Sequence, residues 1–239
     1  MGLQLAYIGL SIIMFLIILR IGFTAINGAF GKTPKAHKKK LLLVILLLLW
    51  QVYVIGIAAT GILQNFDLPP RFFIFLILPA FTFTGIFIYK NRNNSWIHHI
   101  PKSWLVYYQS FRIFIESIFV WTVAMGILTP IVTVKGYNYD MIFAFTAPVL
   151  AVLVFKMNVL PEKFLIFWNY LGLVVIAVII FLFLSSVYAP HLYGSDVPLL
   201  STDFIVYPYV LVPAFLMPSA VFIHVLSIVQ LTKSRKNEG

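Results

Sequence analysis

Oily blocks separated by short polar breaks organise this chain. Residues 41–50, Leu-Leu-Leu-Val-Ile-Leu-Leu-Leu-Leu-Trp, are apolar on every face of any element they could form. Such a block has no polar side to turn toward water. It suits a helix wrapped in lipid, where about 20 mostly apolar residues cross the bilayer core. Strands of a membrane barrel would alternate apolar and polar residues, and these blocks do not. Seven spans follow from the pattern: 3–24, 41–63, 72–89, 104–128, 141–159, 164–188 and 205–231. The breaks carry helix-ending chemistry. Residues 27–40 hold Gly, Pro and five Lys, 66–71 hold a Pro pair, and 90–102 are polar. Residues 135–140 read as a turn, 160–163 as a tight connection and 189–198 as a longer loop. The expected fold is an all-α integral membrane protein, a single seven-transmembrane-helix bundle over residues 1–239 with no separate soluble domain.

Charge sharpens this picture. Only 10% of the residues are charged and 62% are hydrophobic, where soluble domains carry about 25% charged residues. The net charge of +10 is unevenly placed. Counted break by break, Lys and Arg number five in the first, one in the second, three in the third and one in the fourth. The fifth holds Lys163 with Lys156 just before it, the sixth has none, and the tail carries Lys233, Arg235 and Lys236. The excess alternates at every step. Positive loops stay cytoplasmic, so the N-terminus is expected outside and the C-terminus inside, in a multi-pass protein of the cell membrane. Topology then accounts for the charge, and nucleic acid is not an expected partner. Membrane lipids are, and the run Lys38–Lys40 suits anionic headgroups. The chain has no Cys, which removes disulfides, thiolate metal sites and a cysteine nucleophile.

Candidate chemistry begins at residues 107–117, Tyr-Tyr-Gln-Ser-Phe-Arg-Ile-Phe-Ile-Glu-Ser. On a helix Gln109, Arg112 and Glu116 share one face. A charge at the bilayer centre costs about 2.5–3.5 kcal/mol on insertion scales, and pairing four residues apart lowers that cost. One reading buries the pair in the bundle. The other starts the span at Ser117 and leaves both groups at the interface, although Pro130 would then disturb the helix. The seventh span carries Pro208, Pro213 and Pro218, and the last two free the carbonyls of Tyr209 and Ala214. A freed carbonyl in a membrane needs a partner, and neighbouring helices are the expected source. Ser219 and His224 follow on the same span. Gln51 and Asn169 each follow a Trp, and buried amides of this kind join helices. By depth, Gln51, Thr82, Arg112, Glu116, Asn169, Ser219 and His224 fall between the midplane and the cytoplasmic side. They are expected to form one polar cluster.

No metal site is expected, because His224 has no partner at ligand spacing and His98–His99 point in different directions on a helix. No cofactor is expected either. The phosphate-binding Gly-rich loop, the His-Glu-x-x-His motif and the Gly-x-Ser-x-Gly elbow are all missing. A faint echo links residues 78–88 to 212–223, and Trp50–Gln51 to Trp168–Asn169. It would match the second and third spans to the sixth and seventh, with the fourth as linker. The leading functional expectation is a carrier or binding protein for a small solute or lipid-like molecule. In it Arg112 holds an acidic group or pairs with Glu116, and Glu116 or His224 takes up a proton. The alternatives are a membrane-embedded lipid-modifying enzyme, with Glu116 and His224 as acid and base, and a structural or signalling subunit.

Overall fold

The computed structural model describes residues 1–236. It is helical, with no strand among the described residues. The helices are α1 (Gly2–Phe30), α2 (Pro34–Ala59), α3 (Leu78–Asn91), α4 (Lys102–Tyr108), α5 (Phe111–Ala124), α6 (Asp140–Phe155), α7 (Lys163–Tyr188) and α8 (Met217–Lys236). A single π-turn leads into α3 (Phe73–Ile77) and another into α8 (Val212–Leu216). Five units are long and apolar enough to cross a membrane: α1, α2, the 73–91 unit, α7 and the 212–233 unit. These are the marks of a helical membrane protein.

Several boundaries move, each for a local reason. The first helix runs to Phe30, and the second begins as early as Pro34. Thr33 caps α2, its hydroxyl accepting the Ala36 N–H at 3.2 Å, with Pro34 at the first helical position. That is the favoured start of a helix, and Lys is a good helix former. The expected span 104–128 is broken. Gln109 and Ser110 bond back to Val106 and Tyr107 at 3.1 and 3.0 Å, a tightening that separates α4 from α5. The last helix starts at the π-turn rather than at 205. Residues 202–205 form a separate short turn, and Pro208 and Pro213 keep the chain between from joining one regular helix.

Helix α8 lies at the centre and packs on α7, α4 and α3. Helix α1 buries a seam of Leu3, Tyr7, Leu10, Met14, Ile21 and Ala25, spaced by three, four or seven residues. It rests against α2, α5 and the short 95–99 turn. The two π-turns touch each other, and so do the turns 62–64 and 202–205 beyond them. Helix α2 is peripheral: only 11% of its most apolar stretch is buried, against 61% for the 212–233 unit.

The connection from α5 to α6 differs most from its expectation. Residues 135–140 include the expected turn, with Lys135, Tyr137 and Tyr139 exposed, but the connection also dips into the bundle. Val132, Thr133, Asn138 and Asp140 are all buried. Gly136 has no room for a Cβ against the backbone of Ile131 and Pro130, so the chain folds tightly there. Helix α6 has 16 residues, about 24 Å at 1.5 Å per residue. Its short length and its buried entry bring Asp140 inward.

Candidate functional site

Arg112, near the start of α5, is 2% exposed, and Glu116, one turn on, is 1% exposed. Both side chains are therefore enclosed by the bundle. The partner expected for Arg112 is corrected. Its guanidinium forms the ion pair with Asp140 of α6, not with Glu116. Side chains four apart on one helix run side by side, whereas Asp140 meets the guanidinium from a facing helix. Glu116 instead accepts from Asn138: Nδ2 donates to Oε1 at 2.7 Å and to the Val132 carbonyl at 3.0 Å. The other end of that amide, Oδ1, accepts the Asp140 N–H at 2.9 Å. Both ends have partners that fix which atom is which.

On its other side Arg112 Nη1 lies 3.2 Å from His224 Nε2. His224 Nδ1 lies 2.8 Å from Asn169 Oδ1. Asn169 Nδ2 donates to the Leu165 carbonyl at 2.6 Å and to Ser227 Oγ at 3.1 Å. With both amide hydrogens spent, Asn169 Oδ1 must accept, so His224 donates from Nδ1. Its Nε2 then accepts from Arg112, which always donates. The ring is therefore the neutral Nδ1–H tautomer, and both nitrogens are occupied. The Arg112 guanidinium also stands 5.0 Å from the Phe143 ring centre, and Phe143 stacks on Trp168 with centroids 5.0 Å apart. A cation over an aromatic face is held by the ring quadrupole. Gly172 makes room for this arrangement, since a Cβ there would run into His224 and Phe143.

A second group of bonds joins α4 to α8. Tyr108 donates to Ser219 Oγ at 2.7 Å, and Gln109 Nε2 donates to the Ala220 carbonyl at 3.1 Å. Arg112, Glu116, Asn169, Gln109, Ser219 and His224 are thus buried close together, on α4, α5, α7 and α8 or the joins between them. Gln51 and Thr82 are not with them. Gln51 is half-buried and lines neither of the two cavities described below, and Thr82 faces outward while Thr84 turns in. A helix that is apolar all round marks no inner face, and depth alone placed these two. Asn138, Asp140 and Ser227 are the members that sequence reasoning missed. The Asn-x-Asp spacing at 138–140 is the visible trace, because an Asn side chain commonly bonds the backbone two residues on.

Of the two proline-freed carbonyls, Ala214 finds a partner on a neighbouring helix as expected, whereas Tyr209 accepts the nearby Val212 N–H at 3.1 Å. Trp50 Nε1 donates to the Ala214 carbonyl at 2.9 Å, opposite Pro218. Tyr53, one turn along α2, donates to the Phe75 carbonyl at 2.9 Å, opposite Pro79. The two π-turns and their prolines repeat at a constant interval of 139 residues, 73 to 212 and 79 to 218. The Trp50–Gln51 echo does not hold, because Trp50 is the seventeenth residue of α2 and Trp168 the sixth of α7.

Two cavities border these elements. A small one, about 80 Å³, is capped by Arg112, Glu116 and Asp140 and otherwise walled by hydrocarbon. A large one, about 850 Å³, is a groove between α1, α2, α3 and α8, with Trp50, Ala80 and Phe222 on its walls. One end is polar, with Lys39, Asn91, Asn94, Ser95 and Trp96. His224 lines neither cavity. Among the described residues no group of three or more His, Asp or Glu is placed to hold a metal. Compared with known proteins, the chain matches no family model, no curated protein and no solved structure.

Proposed function

We propose that this is a seven-crossing protein of the cell membrane that binds and carries an amphiphilic, lipid-like molecule in the groove between α1, α2, α3 and α8. On this reading α4 and α5 together make the fourth crossing and the short α6 the fifth. The basic breaks face the cytoplasm. The observation that carries the proposal is the groove of about 850 Å³, apolar along its length and polar at one end. Ligand sites are typically clefts of about 300–1,000 Å³ with apolar walls and a few placed polar groups. Its polar end lies in the breaks where positive charge collects, and Lys39 is on its rim, so an anionic headgroup suits it. The two proline-broken helices meet beside it, which gives the bundle a place to bend.

On this reading the polar network has a structural part. Its hydrogen bonds are largely closed on one another, so it holds α5, α6, α7 and α8 in place beside the groove. A lipid-modifying reaction needing Glu116 and His224 on one substrate is less well supported, because His224 is fully engaged and lines neither cavity.

Native mass spectrometry in mild detergent tests the proposal, with added phosphatidylglycerol and phosphatidylcholine as probes. The expected result is one retained lipid per chain, with the anionic one favoured. Retention should fall at least tenfold in Ala80→Trp, which fills the groove, while the melting temperature stays within a few degrees. Equal retention by the filled variant would remove the groove as the binding site.

A further inference from the structure

Three ionisable side chains cap the small cavity: Arg112, Asp140 and Glu116. One is a cation and two are acids. Arg112 is paired with Asp140, which leaves the second carboxyl without a counter-charge. Glu116 Oε1 is taken by Asn138, and Oε2 is buried with no hydrogen-bond partner. The surroundings offer nothing else. From α1 the titratable neighbour is Tyr7, whose hydroxyl is engaged with Thr122 Oγ1 at 2.7 Å and whose ring meets Tyr209 edge-on. From α8 it is His224, a neutral ring held against Arg112. The walls from α7 are Ile176, Ile179, Ile180, Phe183 and Leu184, and those from 200–217 are likewise hydrocarbon.

An uncompensated carboxylate in such a place is strongly disfavoured. The site therefore calls for one positive charge. A metal cation needs several oxygen ligands at once, and one free carboxyl oxygen beside hydrocarbon does not supply them. A proton needs only that oxygen. We infer that Glu116 is a proton-binding site and carries its proton on Oε2 at neutral pH, with Asp140 kept as the ionised partner of Arg112. The site is separate from the groove, and its proton does not depend on what occupies the groove.

Infrared spectroscopy of the full chain in lipid nanodiscs tests this, because a protonated carboxyl absorbs above the amide I band. The chain has seven acidic residues, and one such band is expected at pH 7. It should shift in D2O and vanish in Glu116→Gln. Glu116→Gln, a neutral isostere, should also melt within a few degrees of the parent in sodium or in choline buffer. Absence of the band from the parent protein at pH 7 would overturn the assignment, as would its persistence in Glu116→Gln. Collapse of Glu116→Gln beside a folded Glu116→Asp would show that the site needs the charge. A melting temperature raised by sodium or by methylammonium at pH 9 would show a cation in place of the proton. Either result would overturn it.

Discussion

The units α2–α3 and α7–α8 use the same device and end in opposite states. Each pairs a 26-residue helix with a helix entered through a π-turn and carrying a proline six residues after that turn begins. In the second unit α7 lies tight on α8. Gly172 clears space for His224, and Asn169 ties His224 to Ser227. In the first unit the position 139 residues before His224 is Gly85, where an added Cβ would touch nothing. Helix α2 packs on α1 and reaches the two π-turns through the hydrogen bonds of Trp50 and Tyr53, and the space beneath it is the groove. In lipid there is no hydrophobic force between helices. Small residues and polar bonds decide which pairs close, and here they close one unit and leave the other open.

The comparison can be broken most forcefully at the closed unit's ion pair. Asp140→Ala leaves Arg112 as a buried, unpaired cation. It should cost about 3–5 kcal/mol, read as loss of the monodisperse peak in size-exclusion chromatography. Arg112→Leu together with Asp140→Leu should recover much of that peak, because the unpaired charge, not the missing pair, carries most of the cost. The next test is a matched pair of glycines. Gly172→Ala should lose about 1–3 kcal/mol by overpacking against His224 and Phe143, whereas Gly85→Ala should be neutral or gain up to about 1 kcal/mol of helix propensity. Equal melting shifts in the two variants would dissolve the distinction between the units. The third test is at α2. Trp50→Phe strands the Ala214 carbonyl and should cost about 1–3 kcal/mol. Tyr53→Phe should cost less, since Tyr53 is 39% exposed. Thermal melts ordered the other way would mean that α2 is fastened at α3 rather than at α8.

The composition of the chain, and its blocks, settled that it is helical and membrane-embedded. Hydrophobicity adds up locally, so a block such as 41–50 declares itself without its neighbours. Prolines 208, 213 and 218 and the glycines and polar clusters of the breaks act locally too, and marked where helices end or bend. For Arg112 and Glu116 the sequence left two readings open, because it does not say where their span begins. What the tertiary structure decided was partnership and rotation: Asp140 rather than Glu116 for Arg112, Asn138 for Glu116, and Gln51 and Thr82 left outside the network. Helices α2 and α7 are apolar all round, so no stripe in either sequence says which face will be covered. That choice depends on shape, on where Gly172 admits a ring and where nothing answers Gly85, and shape exists only once the helices have met.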